Sequence, residues 1–485
     1  MSRVKPYQLI PFRFTRFNDD YLLVNEVGEH EFISSTIFGD FTSHQLSTQS
    51  SEFLNLKSKY FVTDSDVGPV IDMLAIKYRT KKSFLYNFTS LHMVVPTLRC
   101  NSNCIYCQVS KKDPDAAGFD MDTRTAKNTV DAIFTSPSSH IKIEFQGGEP
   151  LLNFKMVKYI VKYAIKLNKK HKKDLAFVIC TNLTLITPRV AKFLKKYNIP
   201  ISTSVDGSCD VHNRNRPLQN SELSHPIVTR NMQMVNKIMG PGNVSALMTT
   251  TRHNINLLRS VIDEYVHLGF DHVFIRNLNP YGGAKQEVKA IGYPIEDFVT
   301  NYKDALNYII ELNLKGIYIV EAFAALLLER ILTPFATGFV DLQSPAGVGI
   351  EGAVYDYNGN VYVSDEGRML AAMGDQYFLL GNVNENSHAE IFGSEKLRSI
   401  IRNSCLESTP ICASCAFQSF CGADPIRNYA EHGKIECHAN LSKTCKKCKP
   451  ILMHLFELIK RDDKTINKVF WSWINRKPFD GEVIN

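Results

Sequence analysis

The sequence predicts an α/β protein. Its core is a parallel sheet with crossover helices, open or closed into a partial barrel, with a small β+α module in front and a cysteine-rich region behind. Two observations predict this. From about residue 91, short β-rich runs alternate with amphipathic helical stretches. The 12 cysteines of the 485-residue chain are also mostly gathered into two groups, one at the start of that block and one well beyond its end.

Residues 1–88 form the leading module. Residues 12–17 and 21–33 read as a β meander, followed by helical patterns around 36–44 and 51–60. A meander with an open edge can take up an extended peptide by strand addition, so the module is a candidate recognition domain. The strand-like runs of the core are 91–98, 141–145, 175–180, 199–204, 244–250 and 272–276. Between them, residues 154–167 carry Val157, Ile160, Val161, Ala164 and Ile165 on one helical face. Repeated strand–helix–strand units argue a parallel sheet. Six units fall short of an eight-fold barrel, leaving a partial barrel or a doubly wound sheet. The basic run 169–173 ends a helical pattern, where cations meet the negative end of the helix dipole.

After Gly338 the texture changes. Residues 355–363 place Asn358-Gly359 between alternating apolar residues, a hairpin signal. The second cysteine group follows, then an apolar helix at about 451–459. The expected divisions are therefore 1–88, 89–320, 321–450 and a helical tail at 451–485.

The composition is 44% hydrophobic and 22% charged, which excludes global disorder. Lys plus Arg number 56 against 49 Asp plus Glu, a net charge of +7 too mild to argue nucleic-acid binding. No apolar stretch approaches the ~20 residues of a membrane span; residues 322–328 stop at Glu329 and Arg330. The opening residues lack the apolar run of a secretory signal. The expectation is a cytoplasmic protein with neither a membrane nor a nucleic-acid partner. In that reducing compartment, clustered cysteines read as metal or cluster ligands rather than disulfides. Cys180 and Cys209 stand apart and read as buried structural thiols.

Ligands of parallel α/β folds bind at the carboxyl ends of the strands, and the unusual residues fall there. The first strand is followed by Cys100-x3-Cys104-x2-Cys107, the second by Gln146-Gly147-Gly148-Glu149-Pro150. The third ends in Cys180-Thr181-Asn182 and the fourth in Ser204-Val205-Asp206-Gly207. The glycine pair would let backbone approach a ligand. A structural zinc wants four ligands, and no fourth Cys or His lies near the three thiols. A 4Fe–4S cube held by three thiolates keeps one iron open to a small molecule.

Cys100, Cys104 and Cys107, with Tyr106 before the last, resemble the cluster motif of the radical S-adenosylmethionine (SAM) superfamily. The resemblance implies a partial (β/α)6 TIM-type barrel. It also implies a 4Fe–4S cluster whose open iron chelates SAM, one-electron cleavage of SAM to a 5′-deoxyadenosyl radical, and hydrogen abstraction from a substrate. Gly147, Gly148, Glu149 and Pro150 match the family's GGEP, whose backbone and Glu hold the methionine amino group. Ser204 matches a serine that contacts the methionine carboxylate in peptide-modifying members. Arg216, in His212-Asn213-Arg214-Asn215-Arg216, takes the place of the Arg of an HDxxR pattern with the same partner. Thr181 and Asn182 match a Thr-Asn-Gly turn in which Leu183 here replaces the Gly. Asp206, Arg276 and Tyr281 fall near the expected substrate rim without an assigned role.

Cys412-x2-Cys415-x5-Cys421 resembles the central run of SPASM domains, the cluster-bearing extension of many radical maturases. Positions that would serve a first auxiliary cluster are filled by Ser364 and Pro425. The resemblance therefore implies one auxiliary 4Fe–4S cluster, held by Cys412, Cys415, Cys421 and Cys445. Cys437, Cys448 and Cys405 are alternative ligands, and zinc is the alternative occupant. A narrower resemblance rests on Cys412-Ala-Ser-Cys-Ala-Phe-Gln-Ser-Phe-Cys-Gly-Ala-Asp-Pro425, Asn428-Tyr-Ala430, Cys445-Lys-Lys and the opening Leu9-Ile-Pro-Phe-Arg-Phe14. These resemble the radical SAM maturase of the His-Xaa-Ser system. That family implies a precursor peptide substrate, a second radical SAM maturase as neighbour, and a reducing partner such as flavodoxin or ferredoxin. Competing expectations are a sulfatase-maturase type of enzyme and a non-enzymatic zinc protein that binds nucleic acid.

Overall fold

Strand alternation sets the role of the leading module. In the computed structural model, which describes residues 6–279, 281–436 and 442–478, Phe12–Phe17, Asp20–Asn25 and His30–Ser34 form an antiparallel meander. Successive residues of the central strand point to opposite faces. Leu23 packs with Phe41, Phe53 and Phe61 of the module itself, while Leu22 and Val24 enter the main core of the protein. The two expected helices are Ser35–Thr42 and Ser51–Ser58, and the Ser34 and Ser50 side chains cap them. A further helix, Gly68–Lys81, escaped the sequence reading because Leu74 is its one deeply buried residue. It ties the module to the far end of the chain. Lys82, just beyond it, pairs with Glu407 at 2.6 Å, and Lys81 donates to the Arg330 carbonyl at 3.1 Å.

The core strands are Leu91–Thr97, His140–Gly147, Asp174–Cys180, Ile201–Ser204, Val244–Thr249 and Ile275–Arg276. Each pairs in parallel with the next. A doubly wound sheet reverses its strand order within the repeated strand–helix units, whereas these six core strands follow one another in chain order. The partial barrel is therefore the correct alternative. The run expected at 272–276 splits: His272–Val273 pairs with Val320–Glu321, and only Ile275–Arg276 joins the core sheet. The helix Phe154–His171 buries Val157, Ile160, Val161 and Ala164 as its periodicity requires. Its last turn carries Lys169, Lys170 and His171, and Lys173, just beyond the helix, donates to the Ser136 and Ser138 carbonyls, both at 2.6 Å.

The hairpin forms, with Gly352–Tyr355 antiparallel to Asn360–Tyr362. Its first strand adds in parallel to Leu91–Thr97, so the core sheet continues into the C-terminal region. The division expected at 451 is corrected, because it cuts a continuous helix, Lys443–Lys460. Ser442 caps that helix through the Cys445 amide, so the helix begins before the apolar run that marked it in the sequence. Cys445 and Cys448 consequently lie one turn apart on the helix instead of ahead of it. A last helix, Lys464–Asn475, buries Phe470 and Trp473. No helix among the described residues is long and apolar enough to cross a membrane.

Candidate active site at the barrel mouth

A cavity of about 430 Å³ opens at the carboxyl ends of the core strands. The three thiols of Cys100, Cys104 and Cys107 line it, together with Tyr106, Gly147, Gly148, Thr181, Asn182, Ser204 and Arg216. The sequence thus brought these positions to one place, but Glu149 and Pro150 are not among the lining residues.

The cysteine loop is held by backbone. The Asn103 and Ile105 amides donate to the Pro217 and Asn215 carbonyls at 2.7 and 3.0 Å, and Cys100 N donates to Lys112 O at 2.9 Å. Arg216 is therefore carried on the segment that clasps the loop. Burial pushes the Cys100 thiol up to about 12 and the Cys104 thiol up to about 11, although the Arg216 charge opposes the second shift. Such thiols become thiolates only when a strong positive centre joins them.

The glycine pair is explained by packing between loops. A Cβ on Gly148 would lie 2.2 Å from the Arg99 carbonyl oxygen, and one on Gly147 2.7 Å from that of Thr97. The Gly148 and Glu149 amides donate to those same carbonyls at 2.9 and 2.7 Å, locking the second loop onto the first. The Glu149 carboxylate is engaged by the neighbouring loops. Its oxygens accept from Leu151 N (3.0 Å), Thr181 Oγ1 (2.7 Å) and Asn182 N (2.8 Å), and the residue is fully buried. Burial raises this carboxyl to about 7 against those three hydrogen bonds. Glu149 therefore positions the Thr181–Asn182 turn. Asn182 in turn reaches the cysteine loop, donating to Asn101 Oδ1 at 2.8 Å and Ser102 Oγ at 3.0 Å.

Asp206, left unassigned by the sequence, organises the other wall. Its Oδ2 accepts from the Tyr106 hydroxyl at 2.6 Å and Arg216 Nε at 3.0 Å, and its Oδ1 from the Thr249 amide at 3.2 Å. The Arg216 guanidinium lies over the Tyr106 ring, 5.0 Å from its centroid. Sequence reading also missed Cys180, whose thiol lies 3.5 Å from Glu144 Oε1; both residues line this cavity. Asp365, Glu366 and Met369 reach it from the helix Asp365–Ala372, beyond the hairpin, a position no local spacing announces.

A second cavity, of about 460 Å³, is lined by Cys412, Cys415, Cys421 and Cys445. Cys448 lines an adjoining pocket, and the Cys405 thiol lies 3.6 Å from the Ile401 carbonyl at the end of the preceding helix, Glu395–Arg402. Cys437 falls outside the described residues. Among the described residues, no three Cys, His, Asp or Glu side chains form a set suited to a single metal ion.

The family model of the radical SAM superfamily matches residues 94–249, the stretch that builds this mouth. An uncharacterized protein of Methanocaldococcus jannaschii is 31% identical over 209 residues, 43% of this chain and 68% of that one. The chain belongs to the radical SAM superfamily. A cysteine-type anaerobic sulfatase-maturating enzyme of Clostridium novyi is 22% identical over 358 residues, 70% of this chain and 88% of that protein. A solved structure of anSMEcpe with bound AdoMet and the Cp18Cys peptide superposes with a TM-score of 0.65 at 20% identity, covering 78% of this chain and 99% of that one. Streptococcus suis SuiB bound to its precursor peptide SuiA gives 0.52 at 14%, covering 91% and 100%. These two likenesses bear on the fold, which is that of the partial barrel.

As a radical SAM enzyme the protein employs a 4Fe–4S cluster and SAM, and the non-enzymatic zinc reading falls. The cavity fits these groups. It gathers three thiols, and Thr203 Oγ1 and Gln146 Nε2, from residues of the same lining, are buried without a hydrogen-bond partner. Buried polar atoms left unpaired in the protein alone are what a bound polar ligand completes.

Proposed function

We propose that this radical SAM enzyme is a maturase of a ribosomally made peptide of the His-Xaa-Ser type. The observation that carries the reading is the pairing of a three-thiol cavity at the barrel mouth with a four-thiol cavity in the C-terminal region. Cys100, Cys104 and Cys107 hold the SAM-binding cluster. Gly147 and Gly148 present backbone to SAM, with Thr181, Asn182, Ser204, Tyr106 and Arg216 around it. Glu149 and Pro150 shape the turn from behind. Cys412, Cys415, Cys421 and Cys445 hold one auxiliary 4Fe–4S cluster. The bound SAM-binding cluster and SAM supply a carbon radical that removes a hydrogen atom from the substrate. The protein's own part is to fix the Arg216 charge through Asp206, keep the turns rigid and exclude water.

The Phe12–Phe17 strand has one paired edge among the described strands, which supports the reading that the leading module receives the precursor's leader by strand addition. Hydrogen exchange tests this: the amides of Phe12–Phe17 gain protection when precursor is added, and unchanged exchange argues against it. A second radical SAM maturase and a flavodoxin or ferredoxin are the proposed partners, in the cytoplasm.

The sulfatase-maturase reading is favoured by the likeness to the Clostridium novyi enzyme. Incubation with a His-Xaa-Ser precursor and with a sulfatase-derived cysteine peptide, followed by mass spectrometry, separates the two. Modification of the first alone supports the proposal, and modification of the second alone overturns it.

A further inference from the structure

The loop that carries Cys412, Cys415 and Cys421 has two faces. Phe417 and Gln418 line the second cavity together with the three thiols. Ala413, Ser419 and Phe420 do not line it, and each meets the leading module instead. Arg13, on the Phe12–Phe17 strand, donates from Nε to the Ala413 carbonyl at 2.5 Å. Ser419 Oγ donates to the Asn25 carbonyl at 3.1 Å. The Phe420 ring stands edge-on to His30, with centroids 6.4 Å apart, and Lys81 Nζ lies 5.5 Å from its centroid.

The two ends of this loop are held unequally. Phe417 and Phe420 sit in the main core, and Arg330 Nη2 donates to the Ser419 carbonyl at 3.2 Å. Residues 411–415 are all exposed or half-buried. Their backbone bonds are local, Ala413 N to Thr409 O at 3.0 Å and Cys415 N to Cys412 O at 3.1 Å. Arg13 ties this turn to a strand 400 residues away in the chain. Its guanidinium is itself fixed, by a 3.0 Å pair with Glu26 and a side chain only 11% exposed.

The strand that carries Arg13 pairs with Asp20–Asn25 along one edge, and its other edge is unpaired among the described strands. Side chains of a strand stand off its faces, away from the hydrogen-bonding edges. A peptide added at the open edge therefore leaves the Arg13 contact in place and stiffens the backbone beneath it. We propose that Arg13 makes the leading module part of the auxiliary thiol site, so that a leader docked on Phe12–Phe17 and a cluster held by Cys412 and Cys415 stabilise each other. Such coupling is reciprocal by thermodynamic necessity. The proposal rests on the maturase reading, with its docked leader and one auxiliary cluster, and adds how the two are linked.

The test uses the full chain with Cys100, Cys104 and Cys107 replaced by Ala, so that iron reports the auxiliary site alone. Iron loss to a chelator is timed, and hydrogen exchange of Phe12–Phe17 is compared between iron-loaded and iron-free protein. Loading should slow exchange of those amides about fivefold, and a synthetic leader peptide should slow iron loss by about the same factor. With Arg13→Ala added, iron should leave about fivefold faster, and both effects should shrink below about twofold. Arg13→Lys keeps a charged donor and should restore part of each. Arg16→Ala is the control, because Arg16 Nε donates to the Asn18 carbonyl at 3.2 Å within its own hairpin; it should change neither. Iron loss and exchange in the Arg13→Ala protein that match those of its parent overturn the proposal and leave the maturase reading standing. Equal effects of Arg13→Ala and Arg16→Ala overturn it in the same way. A parent that takes up no iron overturns the auxiliary cluster, and a leader peptide that binds neither form overturns the docking; each removes this inference as well.

Discussion

Tyr106 and Asp206, distant in sequence, meet through a 2.6 Å hydrogen bond at the wall of the three-thiol cavity. The same carboxylate oxygen holds Arg216, so the cysteine loop, the fourth strand end and the clasping segment share one buried carboxylate. Asp206→Asn would strand the Arg216 charge. Removing one partner of a buried ion pair costs about 3–5 kcal/mol, and the loss should be read in chemical denaturation of the apo-protein. Tyr106→Phe removes only a hydrogen bond to a charged group and should cost about 1.5–3 kcal/mol.

Gly148→Ala places a methyl group 2.2 Å from the Arg99 carbonyl oxygen, a backbone atom that cannot turn aside. Either the GGEP loop or the cysteine loop must move. Reconstituted protein should therefore lose the iron of the barrel-mouth cluster while retaining the auxiliary iron. Gly39→Ala is the control, because a Cβ there meets nothing within 4 Å and the residue lies in the helix Ser35–Thr42. It should be neutral or stabilise by up to about 1 kcal/mol.

Much of this architecture was legible because it follows periodicity. Strand runs bounded by turn residues, and one helical stripe ending in lysines, located the core and its carboxyl rim. The partners that complete the site were not legible, since the contacts are made between loops distant in the chain. Asp206 had a place near the rim but no role until Tyr106 and Arg216 met on it. Cys180 read as an inert core thiol because nothing local reveals that Glu144 stands beside it on the neighbouring strand, at the same cavity. The helix Gly68–Lys81 was hidden for the opposite reason: Ile71, Met73 and Ile76 are exposed, so its apolar residues trace no clean face. The GGEP glycines carry a second constraint that no local spacing announces, since backbone packing on the cysteine loop also demands them.

Glu321 offers a pH test free of the clusters. Buried beside the Tyr302 hydroxyl and accepting from Ala324 N and Ile275 N, it is raised to about 7 by burial. A folded-state value above the unfolded one means that the native protein holds the extra proton. Its contribution is then fully present below the unfolded value and fades as pH rises through the folded one. Native protein should thus lose stability relative to Glu321→Gln between about pH 4.5 and about pH 7, with no further loss above that. Paired thermal melts across that range check the sign; a difference that does not change with pH contradicts it.

The auxiliary site makes a separate prediction. Cys445 lines the four-thiol cavity, whereas the Cys405 thiol lies by the Ile401 carbonyl and is not among that cavity's lining residues. Cys445→Ala should lower iron and labile sulfide by the content of one cluster, and Cys405→Ala should leave both unchanged. Stoichiometric zinc in the native protein would instead assign the second cavity to a tetrahedral thiolate site.

The most direct test is release of 5′-deoxyadenosine by anaerobically reconstituted protein given SAM and dithionite, compared with a Cys100→Ala, Cys104→Ala, Cys107→Ala triple variant. The native chain should release it and the variant should not. Equal release by both would mean that the three thiols at the barrel mouth are not the reactive centre.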